Sequence, residues 1–132
     1  MTERPQDSAE PDHEAAELIA FLTDPASHAG HPDRIETIET HAALVVLAGD
    51  RAYKIKKRVK LPFLDFTTLA ERQRAIAREL ELNHDQAPEI YRGLTTIGRR
   101  PDGTLAFGDG PPIEAALVMN RFDQERLLAR VA

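Results

Sequence analysis

LVVLAGDRAYKIKKRVK, residues 44–60, is the stretch whose reading decides the fold. Its first half is apolar, Leu44 to Ala48, and it meets the turn pair Gly49-Asp50. The second half alternates Ala52, Lys54, Lys56 and Arg58 with Tyr53, Ile55, Lys57 and Val59. An apolar run, a turn pair and an alternating run predict a β-hairpin. A period of two puts Ala52, Lys54, Lys56 and Arg58 on one sheet face and their neighbours on the other. Lysines are rarely buried without a partner, so those on one strand face are solvated, paired or turned to a ligand.

The rest of the chain is read outward from this hairpin. Residues 1–11 are polar and proline-bearing and read as a disordered tail. A short amphipathic helix is expected over 12–23, with Asp12 as its cap, Ala15, Leu18, Ile19 and Leu22 as its apolar face, and Asp24-Pro25 as its stop. Residues 34–60 hold three strands, the first (34–42) only weakly apolar. Leu61 to Phe66 form an extended linker, because Pro62 disfavours helix at Leu61. Phe63, Leu64 and Phe66 are expected to pack under the helix that follows.

That helix, 68–85, is the second strong element. Thr68 and Glu71 have capping-box spacing. Leu69, Ile76, Ala77 and Leu80 share a face, and Glu79 lies about 80° from its centre, at a border from which a carboxylate can reach a neighbouring strand. Further strands and turns occupy 90–122, and Asp123 opens a closing helix over 123–132. The fold class is therefore α+β, an antiparallel sheet of about five strands against one main helix, with short helices at the N- and C-terminal ends.

Composition narrows the function. The chain has 132 residues, 42% of them hydrophobic, and a net charge of −5 from 17 basic and 22 acidic residues. The acidic total argues against general nucleic-acid binding, although residues 51–60 are locally basic. Cysteine is absent, which excludes disulfides and thiolate chemistry. His28, His31 and His41 follow no zinc spacing and read as loop histidines. No apolar run has the length of a membrane span and the first residues do not read as a signal sequence, so a cytoplasmic protein with no membrane partner is expected.

The run THAALVVLAGDRAYKIKKRVKLPFLDFTTLAERQRA, with ELELN and APEIY beyond it, resembles the N-terminal lobe of an aminoglycoside-phosphotransferase-like, protein-kinase-like family. Bacterial members often carry a P-loop ATPase domain as well. Ala52-Tyr53-Lys54 is similar to the Ala-x-Lys of the kinase third strand. The resemblance spans about residues 15–130, is densest in AGDRAYKIKK and LPFLDF, and implies a kinase-like small lobe over 12–132. It implies Ala52 as the roof over adenine, Lys54 as the phosphate-contacting lysine and Glu79 as its helix partner, with Glu81 as the fallback. Met119 and Asn120 would meet the adenine at the hinge strand 118–122.

The resemblance has gaps. The turn Thr40-His41-Ala42-Ala43 has no glycine to cradle phosphates. No His-Gly-Asp catalytic loop or magnesium-binding acid beyond it is present, and the chain is expected to stop where the large lobe begins. The expectation is an incomplete phosphotransferase, inactive alone, with ATP as a weakly held cofactor and magnesium only beside a large lobe. Its partner would be a large-lobe chain or a second copy, docked through residues 113–131, where Leu117, Val118, Leu127, Leu128 and Val131 form an apolar patch. Two alternatives stay open: a non-catalytic interaction or regulatory module, and a small anion- or nucleic-acid-binding domain that uses residues 51–60.

Overall fold

The computed structural model describes residues 3–28, 30, 32–85 and 87–120, with side chains from His13 onward. Helix α1 (Glu3–Leu22) leads through a 3-10 turn (Pro25–Ser27) into β1 (Ile35–Glu39), β2 (Ala43–Ala48) and β3 (Arg51–Lys56). Helix α2 (Leu69–Asn83) follows, then β4 (Tyr91–Arg99), β5 (Leu105–Phe107) and β6 (Pro112–Asn120). The fold is α+β, with all six strands antiparallel in one sheet of order β1-β2-β3-β6-β4-β5.

The hairpin forms as its alternation predicts. Val45 pairs with Lys54 and Leu47 with Ala52, and the two-residue turn Gly49-Asp50 closes it with Gly49 at φ 63°. That positive φ suits glycine at the first position of a tight hairpin turn. Every residue of β2 is buried, because the sheet is covered on both faces. Ile76 and partly buried Leu80 of α2 pack with Val45, Leu47, Ala52, Leu117 and Met119 on one face. Leu18 and Leu22 of α1 pack with Leu44, Val46, Ile55, Ile97 and Ala116 on the other.

Several expectations need correction. The sheet has six strands, and α1 is neither short nor preceded by a tail over 1–11: it runs from Glu3, so Asp12 is inside it rather than at its cap. Pro5 falls in its first turn, where a missing N–H costs nothing, while Pro11 removes one bond of the ladder. Its last turns are tied to the sheet through Arg99, whose guanidinium donates to both carboxylate oxygens of Glu17 at 2.8 Å.

Helix α2 begins as read, with the Thr68 hydroxyl accepting from Glu71 N–H, but the Glu71 carboxylate pairs with Arg74. Ala77 is exposed, and Arg72, four residues before Ile76 on the inner face, is buried in its place. Phe66 is the linker aromatic that packs; Phe63 is 95% exposed and Leu64 is exposed too.

The largest correction concerns β6. It is central in the sheet, paired with β3 on one side and β4 on the other, so Leu117 is fully buried and contributes to no exposed patch. Val118 is half-buried, and residues 121–132, which include Leu127, Leu128 and Val131 of that patch and the expected closing helix, lie outside the described residues.

Candidate functional site

The sheet face under α2 carries the chemistry. Lys54 leaves the middle of β3 toward α2, and its Nζ donates to Glu79 Oε2 at 2.6 Å. Lys56, two residues on along the same face, donates to Glu79 Oε1 at 3.2 Å. Asn83 Nδ2 donates to the Glu79 backbone carbonyl one turn along α2. Burial pushes the Lys54 ammonium below the usual lysine range, and the Glu79 hydrogen bond and charge pull it back up. The Lys54 side chain is 5% exposed and that of Glu79 14%.

Two ammonium groups on one carboxylate leave one positive charge in a mostly dehydrated place. An ammonium carries three donors, and the Glu79 bond uses one of those on Lys54. The arrangement therefore has both the charge and spare donors to meet a phosphate or carboxylate oxygen. Lys56 also sits 5.6 Å from the centre of the buried Phe66 ring, a cation–π contact that holds it in place.

The other expected residues divide. Ala52 stands beside Met119 in register, on the same face as Lys54, and both are 0% exposed within the core. Asn120 is half-buried: its N–H donates to Ile90 O at 2.7 Å, its Nδ2 to Glu89 O, and its Oδ1 accepts from Arg92. Glu81 points outward and is exposed, away from the lysines. The basic stretch is not a row of solvated cations. Lys57 pairs with Glu39, Arg58 with Glu14, and Lys56 is drawn under α2.

A second ionic cluster has no precursor in the sequence reading. Past Lys54–Leu117 the pairing of β3 with β6 ends, and Glu114 sits in the opening, 0% exposed. Arg72 Nε donates to Glu114 Oε2 at 2.9 Å and Arg72 Nη1 donates to Phe66 O, while Arg58 Nη2 lies 3.6 Å from Glu114 Oε1. Burial pushes the Glu114 carboxyl above its usual range, against the pull of Arg72 and Arg58. Glu114 sits in the alternating strand IEAALVMN, and the lone acid in an apolar strand was the available signal.

His28 lies in the loop after the 3-10 turn, as read, and it is buried. Its Nε2 is 2.7 Å from Leu22 O and its ring meets Tyr53 and Phe107 at 5.3 and 5.4 Å. His41 is exposed and His31 lies outside the described residues. Among the described residues no group of His, Cys, Asp and Glu is arranged to hold a metal, and no helix is long and apolar enough to cross a membrane.

The chain is similar to uncharacterized proteins of Mycobacterium tuberculosis and Mycobacterium bovis, at 44% identity over 98 residues in each case. The match takes in 74% of this chain and 18% of each relative, so the matched part spans less than a fifth of the length of those proteins. No protein-family model and no solved structure matches the chain.

Proposed function

We propose that this chain is the small lobe of a kinase-like phosphotransferase, of the aminoglycoside-phosphotransferase-like kind, holding the phosphate-gripping half of an ATP site. One observation carries the reading: the ion pair between Lys54 at mid-strand and Glu79 on the helix that crosses it, with Ala52 on the same face. In kinase-like enzymes a strand lysine held by a helix glutamate meets the ATP phosphates, and phosphoryl transfer rests on such positioning and charge. The 132 residues contain no His-Gly-Asp run, so the chain supplies no base for an acceptor hydroxyl and is inactive alone. Magnesium would be held by acids of a large lobe, and the acceptor would be chosen there.

The adenine side is closed in this arrangement. Ala52 and Met119 are fully buried, so a nucleotide reaches them only if their cover moves aside. The nucleic-acid alternative loses support because Lys57 and Arg58 pair with Glu39 and Glu14 while Lys54 and Lys56 share Glu79, which leaves a single local positive charge rather than the row of cations a nucleic-acid backbone would need. The interaction-module alternative draws support from exposed Phe63, Leu64 and Leu82, which border one hollow of about 490 Å³ beside α2.

The test is amide chemical-shift mapping with ATP and magnesium. Saturable shifts centred on Lys54 and Glu79, abolished in Lys54→Met, support the small-lobe reading. Shifts confined to Lys56–Lys60, or none up to millimolar nucleotide, sink it. Addition of a separately expressed kinase-like large lobe is expected to restore ATP turnover.

A further inference from the structure

We infer that Glu114, acting through Arg72, is a positioning residue for the Lys54–Glu79 pair: it sets where α2 lies along the sheet, and so whether the Glu79 carboxylate meets the Lys54 ammonium. Its weight for phosphate binding rests on the small-lobe reading, but the geometry does not. Apolar packing does not fix the place of α2. Arg72 and Ile76 are the buried residues of that helix, and Leu80 is only partly buried. Burial of so narrow an apolar face is non-directional, and several neighbouring placements of the helix would satisfy it. The polar joints supply the direction. Arg72 and Glu79 lie two turns apart, about 20° from each other round the helix and about 10 Å along it, so both meet the sheet side.

The Arg72 joint is the fixed one. Its planar guanidinium donates to Glu114 Oε2 at 2.9 Å, to Phe66 O at 3.0 Å and to Ile113 O at 3.4 Å, three separate acceptors. Glu114 is itself held, 0% exposed, with Arg58 Nη2 3.6 Å from its other oxygen and Arg58 Nη1 bonded to Glu14 of α1. Two physical links run from this joint to the lysines. One is the body of α2, whose backbone ladder carries a slide at Arg72 on to Glu79. The other is the linker: Arg72 holds the Phe66 carbonyl, the Phe66 ring stands 5.6 Å from the Lys56 ammonium, and Lys56 donates to Glu79 Oε1. The 2.6 Å bond from Lys54 to Glu79 tolerates little slide, because a hydrogen bond weakens steeply with distance and angle.

The experiment reads the pair without nucleotide, as the change that Glu79→Gln makes to the titration of the Lys54 ammonium, followed by NMR of its Nζ. That change is measured in the parent chain and again in a triple variant, Arg58→Met with Arg72→Met and Glu114→Leu, which keeps the region filled and apolar but removes the directional joint. The Glu79→Gln effect is expected to shrink by at least about a third in the triple variant, since Glu79 no longer stands in reach of Lys54. A merely structural Glu114 leaves the effect as in the parent, because the triple variant is still packed, and a reduction smaller than about a third overturns the inference. If the triple variant does not fold, Arg72→Lys decides by the same measurement and the same threshold: it keeps a charge beside Glu114 but loses the fork that reaches Phe66 O and Ile113 O. An ATP titration separates this inference from the small-lobe reading. Where the parent chain binds ATP, the triple variant is expected to bind it about threefold to tenfold more weakly, and affinity equal within about twofold overturns the positioning role. A parent chain that binds no ATP sinks the small-lobe reading, and the nucleotide-free measurement then decides the positioning role alone.

Discussion

Two clusters of the same formal make-up join strand to helix in this protein, and they differ in nearly every physical respect. In one, Glu79 of α2 receives Lys54 and Lys56 from β3; in the other, Glu114 of β6 receives Arg72 of α2 and lies close to Arg58. Each is one carboxylate between two cations. In the lysine cluster the acid, Glu79, keeps 14% of its side chain in water, and Lys54 has donors left over. The arginine cluster is sealed around a fully buried acid, and the planar guanidinium of Arg72 spends its donors on Glu114, Phe66 O and Ile113 O. Arginine suits a fixed, multiply bonded joint, while lysine is a compact charge on a flexible stem. The arginine cluster therefore builds the fold, and the lysine cluster is the one equipped to change partners.

The largest expected effect comes from cutting the sealed cluster. Glu114→Gln leaves the buried Arg72 guanidinium without a counter-charge and should lower stability by about 3 kcal/mol or more, read from urea unfolding. A combined Arg58→Met, Arg72→Met, Glu114→Leu variant should recover most of that loss, since an apolar replacement of similar volume leaves no buried charge. If Glu114→Gln unfolds at the wild-type urea midpoint, the cluster is not structural.

The same change in the other cluster is expected to cost less. Glu79→Gln should lower stability by about 1–2 kcal/mol, because an amide still accepts a hydrogen bond and Lys56 can relax toward water. It should also remove any nucleotide response at Lys54. Loss of more than about 3 kcal/mol would make the two clusters alike and undo the contrast.

A pH series separates them by chemistry. Lys54 is depressed in the folded protein, so the unfolded chain binds more protons in the window between the folded value and the ordinary 10.5. Its contribution to stability therefore rises as pH climbs through that window and is lost as pH falls back. Lys54→Met should flatten this slope relative to the parent protein, whereas Arg58→Met should leave it in place, because Arg58 is bonded to Glu14 and not to the Lys54–Glu79 pair. Urea midpoints from pH 8 to about 10.5 provide the check.

The smallest effect is expected where the linker leaves the protein. Phe63→Ser should change stability by less than about 0.5 kcal/mol, since the ring is 95% exposed, while Phe66→Ala should cost several-fold more by uncovering Lys56 and the end of α2. Thermal melts of the two variants, side by side, test that division of the linker.

Much of this was readable without coordinates, for local reasons. The register of β2 on β3 follows from alternation and a two-residue turn, and the start of α2 from Thr68. The family resemblance implied Glu79 as the partner of Lys54, a border position on α2 agreed with it, and the fallback Glu81 is exposed. The reading stalled where sequence neighbours do not meet. The sheet order inserts β6 between β3 and β4, which buries Leu117 and takes that residue out of the expected docking patch. Nothing within one turn of Arg72 announces an acid 42 residues away.

By itself, the sequence determined the elements and the face each residue takes, because period and capping act over a few residues of one chain segment. It put Ala52, Lys54 and Lys56 on one face before any partner was known. Only the tertiary structure decided which charges are buried together and which keep contact with water. That depends on how far β3 and β6 stay paired and where α1 and α2 lie on the sheet, and it is what separates a joint made of Glu114 from a site made of Glu79.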